Sequence, residues 1–247
     1  MEEVIRVEDV WMLFNLSRKR EERVKEYVID MLKGQLFFDK FWALKGVGFR
    51  LEQGDSMGIV GLNGSGKSTL LKLIAGIMEP TVGRVYTKGL IAPLLELGGG
   101  FSGNMTAREN VFLSGSMHGL SRRHLLDKYE EIVEFSELGP FMDVPVRNFS
   151  SGMRSRLGFA LATTIHPNIL ILDEVLAVGD AKFRSKAMAR MQGIINSGAT
   201  LLFVSHSIDQ VAKLCNKALW LDHGHVRMLG SAKDVCAKYK AFCAQKT

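Results

Sequence analysis

Apolar and polar positions follow two different periods along this chain. Residues 4–10 alternate as an edge strand does, and a second strand region follows at about 43–51. Between them, residues 18–33 set Val24, Tyr27, Val28, Met31 and Leu32 at helical spacing opposite a charged face, which predicts an amphipathic helix. Gly54-Asp55 marks a turn, and the apolar run Ser56–Val60 ends in a glycine-rich stretch. Residues 68–78 read as a helix that stops before Pro80, and 85–95 are strand-like with turns.

Helical spacing dominates the middle of the chain. Thr106 and Glu109 form a capping-box pair that opens a helix to about residue 117. Ser121 opens another to about residue 135, and a third covers 150–165. Residues 169–172 are wholly apolar, as a strand buried on both faces of a parallel sheet must be. A helix over 183–197, a buried strand over 200–205, a helix over 208–215, a hairpin of 218–222 and 226–229 around Gly224, and a helical tail over 231–244 complete the reading. Strands alternating with helices imply an α/β fold with a mostly parallel sheet. The helical block of about 102–166 is inserted within that order.

Composition narrows the classes. With 47% hydrophobic and 23% charged residues, 247 residues can bury a large core as one α/β domain or two smaller ones. The net charge of +6 would suit nucleic acid or an anionic membrane. Apart from Arg18-Lys19-Arg20 the basic residues are dispersed, so a solvated surface and no nucleic-acid partner are expected. Cys215, Cys236 and Cys243 fit neither a disulfide framework nor a zinc site and suit a reducing cytosol. His223 and His225 flank Gly224 without the further ligands a metal would need. Met1-Glu2-Glu3 carries no hydrophobic leader, and no apolar run approaches the roughly 18 residues that span a bilayer.

The chemistry begins at Gly61-Leu62-Asn63-Gly64-Ser65-Gly66-Lys67-Ser68-Thr69, where a buried strand turns into a helix. Glycines let the backbone curl so that successive N–H groups face phosphate oxygens, and the helix adds its positive end. Lys67 brings a point charge to the β and γ phosphates, and Ser68 offers a hydroxyl to Mg²⁺. About 100 residues later, the apolar run 169–172 ends in Asp173-Glu174, a carboxylate for Mg²⁺ and one to orient the attacking water. His206 follows the next buried strand on the same carboxyl edge of the sheet and is favoured as a γ-phosphate sensor. Ser150, Ser151 and Gly152 open a helix. Ser150 is either a plain N-cap or part of a second anion site, which two chains placed head to tail would bring to the first.

With these motifs in place, the chain resembles ABC-transporter nucleotide-binding domains along nearly its whole length. Phe149-Ser150-Ser151-Gly152-Met153 stands where that family carries Leu-Ser-Gly-Gly-Gln and keeps the serine and the second glycine. Ala177-Val178-Gly179-Asp180 takes the place of the D-loop, and His206 that of the switch histidine. The resemblance implies that Phe14 stacks on adenine, with Trp42 as the rival, and that Glu96 stands at the position of the glutamine beside Mg²⁺. It implies a P-loop NTPase with a RecA-like core, an antiparallel edge sheet and an inserted α-helical subdomain. The expected boundaries are 1–97 and 167–230 for the core, 98–166 for the helical subdomain and 231–247 for a C-terminal helix.

Four features look like one subgroup: Leu-Leu-Glu-Leu-Gly-Gly-Gly-Phe ending at Phe101, Ser-Ser-Gly-Met at 150–153, Asp-Glu-Val-Leu-Ala-Val-Gly-Asp at 173–180, and the insertion at about 15–41. These are the ATPase subunits of exporters for O-antigen (Wzt-like), capsule and wall teichoic acid. The resemblance implies MgATP hydrolysis by a homodimer working with two copies of a separate polytopic membrane subunit. A lipid-linked glycan is the cargo, and the location is peripheral, on the cytoplasmic face of the bacterial inner membrane. Many O-antigen members carry a C-terminal carbohydrate-binding domain, which is not expected before Thr247. A drug, lipid or import ATPase is the nearer alternative and a soluble ABC ATPase the farther one. The latter would need a long coiled-coil insertion or a second cassette.

Overall fold

The computed structural model describes residues 2–17, 38–94, 100–117, 119–165, 167–173, 180–205 and 207–245. The expected helix at 18–33 lies outside them.

Two sheets carry the architecture. Strands β1 (Glu3–Ser17), β2 (Phe38–Glu52) and β4 (Val82–Thr87) form an antiparallel sheet in the order β2-β1-β4. Strands β3 (Ser56–Val60), β5 (Ile91–Leu94), β6 (Ile169–Asp173), β7 (Thr200–Val204), β8 (Lys217–Asp222) and β9 (His225–Ser231) form the second, in the order β5-β6-β7-β3-β8-β9. It is parallel except for the β8–β9 hairpin. The first strand is therefore not an edge, as 4–10 suggested, but the centre of its sheet. An alternating pattern reports which side chains are buried and is silent on whether both backbone edges are paired.

Alternate residues of the parallel strands feed two cores. Ile169, Ile171, Leu202 and Val204 pack with Val4, Ile5, Val7, Leu44 and Leu51 of the antiparallel sheet. Helix α1 (Lys67–Ile74) joins that layer through Leu70, Leu71, Leu73 and Ile74, each burial contributing about 1.5–3 kcal/mol. Leu170, Leu172, Leu201 and Phe203 face the opposite core. The helices there are α2 (Ala107–Met117), α3 (Arg122–Ser136), α4 (Ser151–Thr164), α5 (Ala181–Asn196), α6 (Ile208–Leu214) and α7 (Ala232–Ala244). Helices α2–α4 lie between β5 and β6, which are hydrogen-bonded neighbours from Ile91↔Ile169 to Leu94↔Leu172. The chain thus leaves and re-enters the sheet at one place.

Local signals set the helix ends. Thr106 and Glu109 bond reciprocally, Glu109 accepting the Thr106 N–H at 2.8 Å and donating its own N–H to Thr106 Oγ1 at 3.2 Å. Helix α1 ends four residues earlier than the sequence suggested. Gly76 takes a left-handed φ of 71°, Gly76 N–H donates to Leu73 O, and Ile77 N–H to Lys72 O at 2.9 Å. This double bond stops the helix, rather than Pro80.

A buried polar cluster ties the start of β3 to the start of β8. Asp55, 8% exposed, accepts from Glu52 N–H (2.8 Å), Lys217 Nζ (2.7 Å) and Asn216 Nδ2 (3.3 Å). Burial pushes its carboxyl up, but Lys217, the Glu52 N–H and Asn216 outweigh that and hold it below the usual aspartate value. A carboxyl lowered on folding stabilises fully above the unfolded value near pH 4 and progressively less as pH falls. Asp55→Ala is expected to cost about 2 kcal/mol at pH 7, discounted for the half-exposed Lys217. In urea titrations the cost should shrink at pH 3; an equal loss at both pH values would remove the ionic explanation.

Candidate nucleotide-binding site

Three neighbouring parallel strands end together. Ile59 of β3 is paired with Val204 of β7, and Val204 with Asp173 of β6. The loop 61–66 leaves β3 at this edge, and α1 starts at Lys67. A cavity of about 410 Å³ opens here. Asn63, Gly64, Gly66, Lys67, Ser68, Thr69 and Asp173 give it a polar wall, and Phe14, Phe41, Ala43 and Val204 an apolar one.

The loop is pressed from outside. A Cβ on Gly66, whose φ is +105°, would stand 2.6 Å from Ala43 O and 2.8 Å from a Leu44 methyl. Gly224, in the β8–β9 turn, lies against the same Ala43 carbonyl. Its N–H donates to Ser65 O at 3.1 Å, and its own oxygen accepts Lys45 N–H at 2.9 Å. Strand β2 and the β8–β9 turn thus clamp the loop.

Lys67 Nζ donates to Gly61 O (2.9 Å) and Leu62 O (3.0 Å). Burial draws its ammonium below the usual lysine value, and the Asp173 carboxylate draws it back. A polyanion beside a half-desolvated ammonium gains what that charge has lost in hydration. Ser68 Oγ donates to Asp173 Oδ2 at 3.3 Å, so two oxygen donors of the kind a hard divalent cation takes are already adjacent. Ser65 Oγ is buried beneath the loop without a hydrogen-bond partner. A cation and a paired set of oxygens around one cavity fit a polyphosphate with Mg²⁺.

The second candidate stretch lies apart from this cavity. Ser150 caps α4, its Oγ accepting Met153 N–H at 3.2 Å, and both Ser150 and Ser151 are exposed. Asp180 caps α5, which begins two residues earlier than expected because Oδ1 accepts Phe183 N–H at 2.9 Å. That N–H bond and the neighbouring Arg156 guanidinium hold its carboxyl below the usual aspartate value. Arg156, six residues after Ser150 on α4, reaches Asp180 Oδ2 at 2.6 Å and Glu137 at 3.3 Å, and lies over the Phe183 ring. Phe135, Phe159 and Phe183 pack mutually beneath it, their centroids 5.7–6.1 Å apart. The two capped helix starts are thereby held as one piece.

Of the residues expected from sequence, the structure gathers Phe14, Asn63, Gly64, Gly66, Lys67, Ser68, Thr69 and Asp173 around the cavity. Gly61 and Ser65 are buried in the same loop, and Leu62 is exposed on it. Ser150, Ser151, Gly152 and Asp180 stand elsewhere. Glu96, Glu174 and His206 lie outside the described residues. Trp42 meets Trp11 edge-on at 5.7 Å and is not among the cavity's lining residues, which include Phe14. Sequence reasoning missed Phe41, Ala43 and Arg156. The place of Phe41 opposite Phe14 is a matter of strand register, which no contiguous motif signals.

Fold and loop together define a P-loop nucleoside triphosphatase of the α/β class. The ABC transporter family profile matches residues 44–177. The O-antigen export system ATP-binding protein RfbB of Klebsiella pneumoniae is similar in two forms. One is 43% identical over 85% of this chain and 84% of its own length. The other is 39% identical over 97% and 98%. The teichoic acids export ATP-binding protein TagH of Bacillus cereus is 38% identical over 98% of this chain, which spans 43% of that longer relative. Among solved structures, an ATP-binding subunit of an ABC transporter superposes with a TM-score of 0.73 at 21% identity, over 96% of this chain and 93% of that one. The chain belongs to the ABC transporter family, as an ATP-binding cassette that hydrolyses ATP.

Gly66→Ala tests the clamp. Strain of about 1–3 kcal/mol at that position corresponds to a loss of ATP affinity of about five- to 150-fold by calorimetry. Unchanged affinity would mean that the loop tolerates a Cβ where the backbone of β2 leaves no room for one.

Proposed function

We propose that two copies of this chain bind two ATP molecules at a shared interface and drive export of a lipid-linked polysaccharide across the cytoplasmic membrane. The observation that carries the export reading is the likeness over nearly the full length of this chain and of a relative named for O-antigen export, supported by a second set of relatives named for teichoic acid export. The observation that favours a pair of copies is the separation of the two half-sites: residues of the loop 61–69 line one cavity, and Ser150 and Ser151, exposed at the start of α4, are not among its lining residues.

Each residue then has a task. Gly61, Leu62, Asn63, Gly64, Ser65, Gly66 and Thr69 wrap the phosphates with backbone N–H groups, and Lys67 neutralises the β and γ oxygens. Phe14 lies against the adenine. Ser68, Asp173 and Glu96 would hold Mg²⁺, which when bound offsets charge on the phosphate oxygens. Glu174 orients the attacking water and His206 senses the γ phosphate. The partner copy's start of α4 closes the cage through Ser150, Ser151 and Gly152, and Asp180 lines the junction. Hydrolysis is then mainly a matter of position and electrostatic stabilisation.

The helical block of 98–166 and the loop ending at Phe101 are the parts that meet two polytopic membrane subunits. Closing the dimer moves Arg156, Asp180 and the α3–α5 aromatic cluster together, which carries nucleotide state towards that face. The chain then sits peripherally on the cytoplasmic side. Among the described residues no helix is long and apolar enough to cross a membrane.

Glu174→Gln is expected to trap an ATP-bound dimer and to lower turnover by about 100-fold or more, read by size-exclusion with ATP and by phosphate release. Full-speed hydrolysis would sink the assignment of Glu174. In cells, Lys67→Ala should abolish the surface polymer while its lipid-linked precursor accumulates. Normal surface polymer would overturn the export reading.

A further inference from the structure

Near its start, at Phe41, strand β2 carries an aromatic residue for which the phosphate chemistry has no use. Phe41 is 46% exposed, unusual for a phenylalanine in a paired strand. It lines the same cavity as the glycine-rich loop. Its Cα partner across the antiparallel ladder is Phe14. Directly opposed residues of such a ladder point to one face with their Cβ atoms about 5 Å apart. Ala43, two residues on, also lines the cavity, and its small side chain leaves that wall open. Trp42, between them, does not line it and packs against Trp11.

We propose that Phe41 is a second base-binding residue: with Phe14 it forms a two-ring apolar platform that holds the purine of the nucleotide, while the loop holds the phosphates. The proposal rests on the reading of this cavity as the ATP site. Aromatic faces hold bases without hydrogen bonds, and an exposed ring in a cavity wall gains from covering one. The two rings come from strands separated in sequence by residues 18–37, so the platform is assembled by strand register rather than by a contiguous motif.

The test uses the full chain, two phosphate probes and three variants. ATP contains the base; inorganic tripolyphosphate offers only the phosphate end. Phe41→Leu keeps apolar bulk without an aromatic face and is expected to weaken MgATP binding about five- to tenfold by calorimetry. Tripolyphosphate should bind that variant within about twofold of the wild type, because no base is lost. Phe41→Tyr, which keeps the ring, should restore ATP affinity. Lys67→Ala should weaken both probes together, marking the phosphate end. Wild-type ATP affinity in Phe41→Leu, or an equal loss for ATP and tripolyphosphate, overturns the role of Phe41. Failure of the wild type to bind ATP, or of Lys67→Ala to weaken it, overturns the reading of the cavity itself.

Discussion

A half-buried ammonium held against two backbone carbonyls is the constraint on which the site turns. Lys67 keeps its charge in reduced solvent, bonded to Gly61 O and Leu62 O, with Asp173 as its nearest electrostatic support. That arrangement depends on three parallel strands that finish at one level and on a loop between β3 and α1 that curls back so that Gly61 O and Leu62 O both reach Lys67 Nζ. The curl in turn requires the antiparallel sheet. Ala43 and Leu44 stand so close to Gly66 that sheet, loop and helix start have one arrangement in common. The antiparallel sheet is thus part of the nucleotide site, and its position is fixed by the core it shares with α1 and with one face of the parallel sheet.

On the other face, the helical block is joined to the rest through charge and aromatic packing. Arg156 meets Asp180 and Glu137, Lys186 donates to the carbonyls of Glu134 and Phe135, and Arg190 reaches Glu131 at 2.6 Å. These partly exposed pairs are individually weak. Their value is geometric, because all of them lie over the same stack of Phe135, Phe159 and Phe183 and fix the starts of α4 and α5 relative to α3. A helix start that is exposed yet rigidly held is suited to meet another surface without reordering first.

Much of this was legible in the sequence, for reasons that differ by element. The loop 61–69 was readable because its chemistry is contiguous. Asp173 was readable because an all-apolar strand must end before a charge. The capping pair Thr106–Glu109 and the caps at Ser121 and Ser150 are local, and local signals survive into the fold. The centre of the antiparallel sheet was misread as its edge, since pairing is a property of two strands and the pattern of one does not contain it. The stop of α1 was assigned to a proline when a left-handed glycine four residues nearer already satisfied the last carbonyls. Phe41 was invisible because its meaning depends on register with Phe14 across an intervening segment of some twenty residues. Arg156 was overlooked because a charged residue on a helix reads as solvated until its partner, twenty-four positions away, is brought beside it.

The β8–β9 turn has a consequence for how this chain can change. Turns between antiparallel strands usually accept extra residues at small cost, and many proteins grow there. Here Gly224 gives its N–H to Ser65 and its oxygen to Lys45, and lies too close to Ala43 for any side chain. Lengthening or decorating that turn would pull on the phosphate loop from more than 150 residues away in sequence. Peptide tags and fused modules are therefore expected to be poorly tolerated at 223–225, which makes this hairpin turn a fixed point of the architecture and not a place where it can grow.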